Sequence, residues 1–433
     1  MKQLTAIVIG AGNRGGGYSH YMSQMPDKYR VVAVADPNQA DREYISQLHN
    51  IPQENCYDGW EQILALPKMA DIAVIATVDD MHYEPAMKAI SLGYNLLLEK
   101  PVAIHAKDCA DIARAAKEKG VKVLVCHVLR YTAFYGAVKK LVMNGAIGDV
   151  VSLDLVEAIG NTHFAHSYVR GNWYNLKNSA PMLLAKSSHD LDIAQWLIDK
   201  PCVRVSSFGS LTHFRAENAP EGAPHSCVDG DCPVRETCPY DCLRFYAGLP
   251  KTNDWQATVV SGIAPARFDY TWDHVLQGLR SKAYGNCVYH SDNDVLDHQV
   301  VQMEFAGGVT ASLTVNAFNR GGRYIRIYGT KGELYAFMSS KEITLYTFED
   351  KKKVVIPQSE IDEHITGGHG GGDEGIIREM YDYFCDNYNG FRAADIQVSV
   401  RNHMIGFAAE EARHNGTVVT LDDYLRKYEL DDI

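Results

Sequence analysis

The stretch NLLLEKPVA, residues 95–103, places an acid and a lysine directly after three leucines. The leucine run is typical of a buried strand, so Glu99 and Lys100 follow at its end. Charged groups at a buried sheet edge cost free energy, which points to a use for them. A partly desolvated lysine, poised by Glu99, can accept the hydroxyl proton while an alcohol loses hydride to a nicotinamide. The alternative is a surface salt bridge at a strand end.

A glycine pattern, GAGNRG, directly follows the first apolar run of the chain. Gly10 permits a tight turn, Gly12 lets a pyrophosphate approach the backbone, and Gly15 allows a helix to pack closely on a strand. The pyrophosphate would sit at the positive end of the following helix, which begins near Asn13 and Arg14. These five residues are candidate dinucleotide contacts. The alternative is a glycine turn in an unrelated α/β protein.

An acid, Asp36, ends the second apolar run, about twenty residues after the glycine pattern. Its carboxylate would accept hydrogen bonds from the adenine ribose hydroxyls and repel a 2′-phosphate, which favours NAD over NADP. Arg14 complicates this preference, because an arginine near the ribose could accommodate the phosphate.

The first ~150 residues alternate strand-like and helix-like patterns at the spacing of parallel βαβ units. The apolar runs are LTAIVIGAG, YRVVAVADP, MADIAVIATV, YNLLLEKP and VKVLVCHVLRY. We therefore predict an α/β protein whose N-terminal domain, residues 1–148, is a Rossmann-type, doubly wound parallel sheet. Ligands bind beyond the carboxyl ends of such strands, so Lys100 is expected to face the nicotinamide end of the cofactor.

From residue 149 onward the pattern changes to long strands of alternating polarity. They predict a C-terminal α+β domain, residues 149–433, with an open, largely antiparallel sheet and two helices near its end. The open face is expected to pack against a second copy of the chain, giving a homodimer or homotetramer. Residues 217–255 are irregular and rich in Cys, Pro and Gly, which indicates an insertion.

The insertion holds four cysteines within sixteen residues, Cys227, Cys232, Cys238 and Cys242. In a reducing compartment, four thiols this close suggest a structural zinc bound tetrahedrally. Their spacing, C-x4-C-x5-C-x3-C, differs from the paired C-x2-C of common zinc modules. The alternatives are an iron–sulfur cluster and a loop of unligated thiols.

Composition narrows the classes of partner. The 433-residue chain is 46% hydrophobic and 22% charged, as in ordinary globular proteins, and its net charge of -12 disfavours nucleic acid. Its apolar runs are too short to span a membrane, and its start is typical of a first strand rather than a signal peptide. We expect a cytoplasmic protein with a small-molecule partner and no membrane partner.

Three motifs together, GAGNRG, EKP and HDLDIAQWL, resemble the Gfo/Idh/MocA family of NAD(P)-dependent sugar and cyclitol oxidoreductases. The resemblance runs over nearly the whole chain, with the dinucleotide domain first and an open-faced α/β domain second. It implies that Lys100 contacts both the substrate and the nicotinamide ribose. It also implies that His189 is the catalytic histidine; the alternative is a satisfied histidine of the core.

The chain departs from the family pattern just before that histidine. Many members have an aspartate four residues earlier, where this chain has Ala185. Lys186 follows and is a candidate for orienting substrate hydroxyls, so His189, alone or with Lys100, is expected to handle the proton. Ser187 or Ser188 is expected to cap the helix that begins here.

The resemblance implies further contacts at strand ends and in loops. Those with the cofactor are Thr77, His82 and Arg130. Those with the substrate are His127, Arg170, Trp173, Tyr174 and His369. Aromatic rings with polar tips suit a sugar-binding wall, although they also pack in cores. The glycines around His369 could equally form a loop with no substrate contact.

The sequence therefore predicts an NAD-dependent oxidoreductase acting on a secondary hydroxyl of a sugar, glycoside or cyclitol. One alternative keeps NAD tightly bound, oxidises a glycoside transiently, eliminates the aglycone and reduces the sugar again, with no net redox change. A second alternative is a catalytically silent sensor that binds NAD.

Overall fold

The fold is that of a computed structural model, which describes residues 2–177, 179–248, 262–264, 271–340, 342–357, 360 and 368–430. Every residue predicted above to form a site lies within these ranges. Residues 249–255 of the predicted insertion lie outside them.

The N-terminal half is built around a sheet of six parallel strands. They are β1 Leu4–Ile9, β2 Tyr29–Ala35, β3 Cys56–Tyr57, β4 Ile72–Ile75, β5 Asn95–Leu98 and β6 Val123–Val125. Their order, β3-β2-β1-β4-β5-β6, is that of a doubly wound sheet, which confirms the predicted fold. The sequence missed only β3, a two-residue edge strand too short to show a pattern.

Six helices connect and cover these strands. They are α1 Asn13–Ser23, α2 Gln39–His49, α3 Trp60–Leu64, α4 Tyr83–Ser91, α5 Ala106–Lys119 and α6 Ala133–Met143. In α5 the buried Cys109, Ile112 and Ala116 recur every three or four residues and form one apolar face. The helix ends at Gly120, whose φ of +67° is the left-handed conformation common after helices.

The C-terminal half carries a nine-stranded sheet. Its strands are β7 Val150–Ala158, β8 Cys202–Ser210, β9 His298–Phe305, β10 Val309–Asn316, β11 Gly322–Gly329, β12 Gly332–Phe337, β13 Glu342–Thr347, β14 Lys352–Pro357 and β15 Val419–Thr420. The order is β14-β13-β12-β11-β7-β10-β9-β8-β15. Among the described strands of this sheet, only β7 and β10 pair in parallel, so the predicted, largely antiparallel sheet is confirmed.

The C-terminal half also contains helices among its described residues. They are α7 Asn161–Phe164, α8 Met182–Ala185, α9 Ser188–Ile198, α10 Cys242–Ala247, α11 Trp272–Ser281, α12 Gly372–Phe384, α13 Ile396–Asn415 and α14 Leu421–Arg426, with a π-helical turn at Ala165–Arg170. Helices α9 and α13 lie against the sheet. Their buried faces supply much of the core, including Leu191, Ile193 and Ala408.

One C-terminal helix packs on the N-terminal half. Ile376 and Met380 of α12 share a core cluster with Ala6 and Val8 of β1. The Tyr29 hydroxyl donates a hydrogen bond to the carbonyl oxygen of Ile377 at 2.7 Å. The domain limit at residue 148 stays a prediction. Helix α12 follows this limit in the sequence but packs against the half of the molecule that precedes it.

None of the helices in the described ranges combines the length and the apolarity that crossing a membrane requires.

Candidate active site

The glycine turn after β1 is shaped by close backbone contacts. Gly10 has a φ of +87°, and a Cβ there would lie 2.4 Å from the carbonyl oxygen of Ala76. A Cβ on Gly15 would lie 1.8 Å from the carbonyl oxygen of Gly10. Gly12 instead faces open space, with nothing within 4 Å of an added Cβ. The turn thus leaves room above the start of α1, where a pyrophosphate could meet the positive end of the helix.

Asp36 lies directly beside this turn, at the end of β2. Its carboxylate accepts hydrogen bonds from the backbone N–H groups of Ala11 at 2.6 Å and Asn38 at 2.7 Å. The acid is therefore fixed against the glycine turn, the position from which it would contact an adenine ribose.

Arg14 does not point toward that ribose position. Its Nε donates to Glu99 Oε1 at 2.7 Å, and its terminal nitrogens donate to both carboxylate oxygens of Asp373 at 2.8 and 2.9 Å. The remaining contacts are with the Tyr18 hydroxyl and the His369 ring. The predicted ability of Arg14 to accommodate a 2′-phosphate is therefore not supported, because its donors are engaged elsewhere.

Lys100 lies at the end of β5 and reaches into the C-terminal half. The Lys100–Pro101 bond is cis, and Nζ donates to the carbonyl oxygen of Ala185 at 2.6 Å. Burial lowers the pKa of this ammonium, although the Asp79 and Glu99 charges oppose the shift. The lysine thus joins the edge of the first sheet to the turn that precedes α9.

His189 lies in the first turn of α9, with 5% of its surface exposed. Its Nδ1 is buried and has no hydrogen-bond partner among the described residues. Burial and the nearby Lys100 charge lower the pKa of the imidazole, so it is neutral near pH 7. The His369 ring lies 6.3 Å away between centroids, which brings this predicted substrate contact to the same site.

The predicted helix cap at this position is wrong. Ser187 precedes α9, but its side chain caps no backbone N–H. The Ser187 and Ser188 hydroxyls are instead buried without partners among the described residues. Together with His189 Nδ1 they form a group of buried polar atoms without hydrogen-bond partners among the described residues. Lys186 is their neighbour in the sequence.

Lys186 belongs to a buried ionic network. Its Nζ lies 3.5 Å from Glu157 Oε1, while Arg323 contacts Glu157 Oε2 at 2.6 Å and Asp190 Oδ1 at 3.0 Å. Burial lowers the pKa of Lys186 and raises that of Asp190 to about 6. The lysine is thus held near the site by a carboxylate that is shared with an arginine.

Trp173 and Tyr174, which are predicted to form a substrate wall, lie in the loop after the π-helical turn. The indole Nε1–H donates to Asp79 Oδ2 at 2.9 Å, which ties this loop to the end of β4. Thr77, at the same strand end, donates its hydroxyl to the carbonyl oxygen of Met81 at 2.9 Å. The wall is therefore anchored on the N-terminal half.

Comparison with known proteins identifies the fold and its class of chemistry. Residues 4–127 match the model described as "Oxidoreductase family, NAD-binding Rossmann fold", and residues 139–421 match "Oxidoreductase family, C-terminal alpha/beta domain". The chain belongs to the Gfo/Idh/MocA family of oxidoreductases. The predicted resemblance is thereby confirmed, and so is the NAD-binding character of the first domain.

Three known proteins are similar to this chain. The oxidoreductase YteT of Bacillus subtilis (strain 168) is 24% identical over 387 residues, 83% of this chain and 84% of YteT. The 2,7-anhydro-N-acetylneuraminate hydratase of Escherichia coli (strain K12) is 27% identical over 209 residues, 48% of this chain and 53% of the hydratase. The solved levoglucosan dehydrogenase in complex with NADH and levoglucosan superposes with a TM-score of 0.67 at 17% identity, covering 97% of this chain and 100% of that one.

Three side chains that the Gfo/Idh/MocA resemblance assigned to ligands contact protein groups here. His82 has no exposed surface, and its ring nitrogens lie 2.6 and 3.1 Å from the carbonyl oxygens of Pro101 and Thr77. Arg130 is buried and binds both carboxylate oxygens of Asp192 at 2.6 and 2.7 Å. Arg170 is buried and donates to two backbone carbonyls of the second domain. Most of their polar atoms thus have protein partners, although Arg170 Nη1 is buried without one among the described residues, and the three ligand contacts stay predictions.

His127, predicted as a substrate contact, lies deeper in the protein than His189, and that role stays a prediction. The ring is fully buried and lies behind His189, 6.1 Å away between centroids. Both ring nitrogens lack hydrogen-bond partners among the described residues, and burial lowers the pKa to about 4.

The cysteines do not form the predicted zinc site. Within the described ranges, no three His, Cys, Asp or Glu side chains are placed to hold a metal. Cys227 accepts a hydrogen bond from the backbone N–H of Cys242 at 3.2 Å. A cavity of about 20 Å³ is instead lined by Cys227, Cys232 and Cys238 together with Cys287, which the sequence spacing did not include. The four predicted thiols therefore do not converge on one metal position.

Three charged residues of the site were missed from the sequence. Glu157 shares the inward face of β7 with the buried Leu153 and Leu155, and Arg323 precedes Ile325 on the same face of β11. A charged residue on the same strand face as buried apolar residues indicates a buried ionic network. Asp79 follows β4, and the rule that ligands meet strand ends would have included it.

Proposed function

We propose that this protein is an NAD-dependent oxidoreductase acting on a secondary hydroxyl of a sugar, glycoside or cyclitol. The supporting observation is that the Lys100 ammonium, beyond the carboxyl edge of the first sheet, donates to the carbonyl oxygen of Ala185 at 2.6 Å, directly before Lys186 and four residues before His189. The relative with levoglucosan bound is itself a sugar dehydrogenase of the same fold.

The residues around the glycine turn fit a dinucleotide. Gly10, Gly12, Asn13 and Gly15 would hold the pyrophosphate, Asp36 the adenine ribose, and Thr77, Glu99 and Lys100 the nicotinamide half. When bound, NAD supplies the hydride acceptor. The side chains of this chain then have to bind the alcohol, orient it and take its proton.

The substrate hydroxyl would lie between Lys100 and His189, with Lys186 and the two unpaired serines within the surrounding wall. Burial lowers the pKa of Lys100 and of His189, which favours the neutral forms that can accept a proton. Either group can receive the hydroxyl proton as the carbinol carbon loses hydride. Trp173 and Tyr174 would provide the apolar face on which a sugar ring stacks.

A second candidate keeps this site and changes the outcome. The related hydratase carries a name that describes no net oxidation. Transient oxidation would acidify the neighbouring C–H bond, allow elimination of an aglycone and addition of water to the double bond so formed, and end with return of the hydride. The protein would then act as a glycosidase that retains its NAD.

One experiment separates the candidates. Purified protein is incubated with NAD and a panel of sugars, cyclitols and aryl glycosides, while NADH absorbance and released aglycone are both followed. Net NADH accumulation supports the dehydrogenase, and aglycone release without it supports the glycosidase. No turnover on the whole panel, with NAD still bound, supports the silent sensor and contradicts the proposal.

The preference for NAD is tested at Asp36. Replacing Asp36 by Ser removes the charge that would repel a 2′-phosphate. Arg42 stays engaged in the variant, because it donates to the backbone carbonyl oxygen of residue 36 and pairs with Asp58 at 2.7 Å. We expect the ratio of Kd values for NADP and NAD to fall roughly tenfold or more, measured by calorimetry. Equal ratios in the variant and the wild type would contradict the assignment.

We also propose a cytoplasmic homodimer or homotetramer. The second sheet leaves apolar side chains exposed on its strands, including Phe208 of β8 and Tyr335 of β12. Light scattering of the purified protein measures the mass, and Phe208→Glu is expected to shift an oligomer toward monomer. A wild-type protein that is monomeric at micromolar concentration would contradict this arrangement.

A further inference from the structure

We propose that Asp79 is a positioning residue that provides the counter-charge for the Lys100 ammonium, and that Trp173 fixes it in place. This inference rests on the proposed function, in which Lys100 exchanges a proton with the substrate hydroxyl. It adds a carboxylate that the sequence motifs did not reveal.

The fold places Asp79 beside the lysine. It opens the 3-10 turn Asp79–Met81 after β4, and β4 pairs in parallel with β5, whose end carries Lys100. The carboxyl ends of neighbouring parallel strands meet at one edge, so both side chains lie over the same edge. Asp79 is 8% exposed, and a carboxylate at that depth requires compensating partners.

Trp173 provides one of those partners from the other half of the molecule. Its indole N–H donates to Asp79 Oδ2 at 2.9 Å. The Tyr168 ring lies 5.9 Å from the Trp173 ring between centroids and supports the indole from behind. The hydrogen bond therefore fixes the direction of the carboxylate.

Glu99 is adjacent to Lys100 in sequence but is committed elsewhere. Its Oε1 accepts hydrogen bonds from Arg14 Nε at 2.7 Å and from the Tyr18 hydroxyl at 2.5 Å. Its Oε2 accepts the backbone N–H of Lys100 at 2.9 Å. Much of its charge is thus balanced by Arg14, which leaves Asp79 as the larger attraction on the Lys100 ammonium.

The other groups that face Lys100 act in the opposite direction or are neutral. The charged groups around the ammonium are Asp79, Glu99, Arg14, Arg323 and Lys186, and the imidazoles are His127, His189 and His403. Burial and the two arginines lower the pKa of Lys100, and the Asp79 charge is the strongest group that raises it. Removal of that charge should make Lys100 lose its proton at lower pH.

The test compares three variants. Asp79→Asn removes the charge but keeps an oxygen that can accept the Trp173 hydrogen bond. Asp80→Asn removes an exposed carboxylate one residue away and is the matched control. Asp79→Glu keeps the charge. For alcohol oxidation, kcat/KM rises with pH as the base loses its proton, and the midpoint of that rise is measured for each protein.

We expect the midpoint to move down by roughly one pH unit in Asp79→Asn. It should stay at the wild-type pH in Asp80→Asn and return toward it in Asp79→Glu. A purely structural role would lower activity at every pH without moving the midpoint, and that result would overturn the proposal.

A second readout does not depend on turnover. The pH dependence of Lys100 acylation by acetic anhydride, measured by peptide mass spectrometry on the NAD-loaded protein, gives the titration of the amine directly. The same downward shift is expected in Asp79→Asn and not in Asp80→Asn. If no sugar is turned over, the proposed function fails, yet this measurement still decides the role of Asp79; an unmoved titration curve contradicts it.

Trp173→Phe tests the fixing role separately. This variant keeps an aromatic ring at position 173 and the charge of Asp79, but it removes the hydrogen bond that the indole donates. We expect KM to rise at least fivefold, because the loop loses its anchor, while the midpoint stays near that of the wild type. Unchanged KM would show that the indole does not hold the carboxylate.

Discussion

Two groups of buried polar side chains, one around His403 and one at the start of α9, differ in whether their polar atoms have hydrogen-bond partners. They lie on either side of the His127 ring. Behind β6, His403 accepts the Val102 N–H at 3.0 Å with Nε2, and its Nδ1 lies 2.7 Å from the Ser399 carbonyl oxygen. At the start of α9, His189 Nδ1 and the hydroxyls of Ser187 and Ser188 are buried without partners among the described residues.

The difference separates scaffold from site. Each buried polar group without a partner costs about 1–3 kcal/mol, so a cluster of them persists only where something outside the chain completes it. A sugar offers several hydroxyls that can donate and accept. We therefore propose that the satisfied group, around His403, holds the two halves together and that the unsatisfied group, around His189, takes a ligand. The distinction is one of degree, because the Ser399 hydroxyl and Asn402 Oδ1 of the satisfied group also lack partners among the described residues.

The largest expected effect is that of replacing His189 or His403 by leucine, each in its own variant. His189→Leu should lower turnover by about 100- to 10,000-fold, because a proton acceptor is lost. Its unfolding free energy should stay within about 1 kcal/mol of the wild type, since no hydrogen bond of Nδ1 is broken. His403→Leu should do the reverse and lose about 1–3 kcal/mol, because it leaves the Val102 N–H unpaired.

Urea unfolding and steady-state kinetics measure both quantities on the same preparations. Binding of NAD serves as the control that each variant retains its first domain. If His189→Leu were as destabilised as His403→Leu and kept its turnover, the distinction between the two groups would not hold.

The second-largest expected effect concerns the ion pair of Arg130 and Asp192, which Asn402 links to the satisfied group. Arg130 donates two hydrogen bonds to Asp192, at 2.7 and 2.6 Å, and both residues are buried. Arg130→Met leaves Asp192 with the Asn402 amide and the His127 ring 3.8 Å away, and should cost about 3–5 kcal/mol of unfolding free energy. Urea unfolding measures the loss.

Two further variants sharpen this result. Arg130→Met with Asp192→Leu should recover part of the loss, because it no longer leaves an unpaired buried charge. Arg30→Met removes an arginine from the exposed side of β2 and should change stability little. A variant at Arg130 as stable as the one at Arg30 would show that the pair does not hold the two halves together.

The sequence predicted the fold well because both sheets repeat local patterns. The apolar runs ending in glycine or acid located five of the six strands of the first sheet, and alternation located the second sheet. What it missed was non-local: the pairing of β7 with β10, and the return of α12 to the first sheet. Neither depends on the residues within one element, so no local pattern reports it.

The site was predicted less evenly, for a physical reason. Lys100, His189 and His369 do converge, because strand ends and the start of α9 share one edge. Arg130 and His82 also follow strand ends, but their side chains turn inward to protein partners. The strand-end rule gives the position of a Cα atom, whereas partners elsewhere in the chain decide where the side chain points.

The smallest effect tests His127, which is buried between the two groups with both ring nitrogens unpaired. Burial lowers its pKa to about 4 in the folded protein, from an ordinary value near 6.5. The unfolded chain therefore binds this proton at higher pH, so its contribution to stability is present above about pH 6.5 and is lost as pH falls toward 4.

His127→Phe keeps an aromatic ring and removes the titration. The slope of unfolding free energy against pH should fall by up to about 1.4 kcal/mol per pH unit between these values. His20→Gln, at an exposed position, is the matched control, and no comparable change of slope is expected there. An identical slope in His127→Phe and the wild type would mean that this imidazole finds a partner in solution, and would place it with the satisfied group.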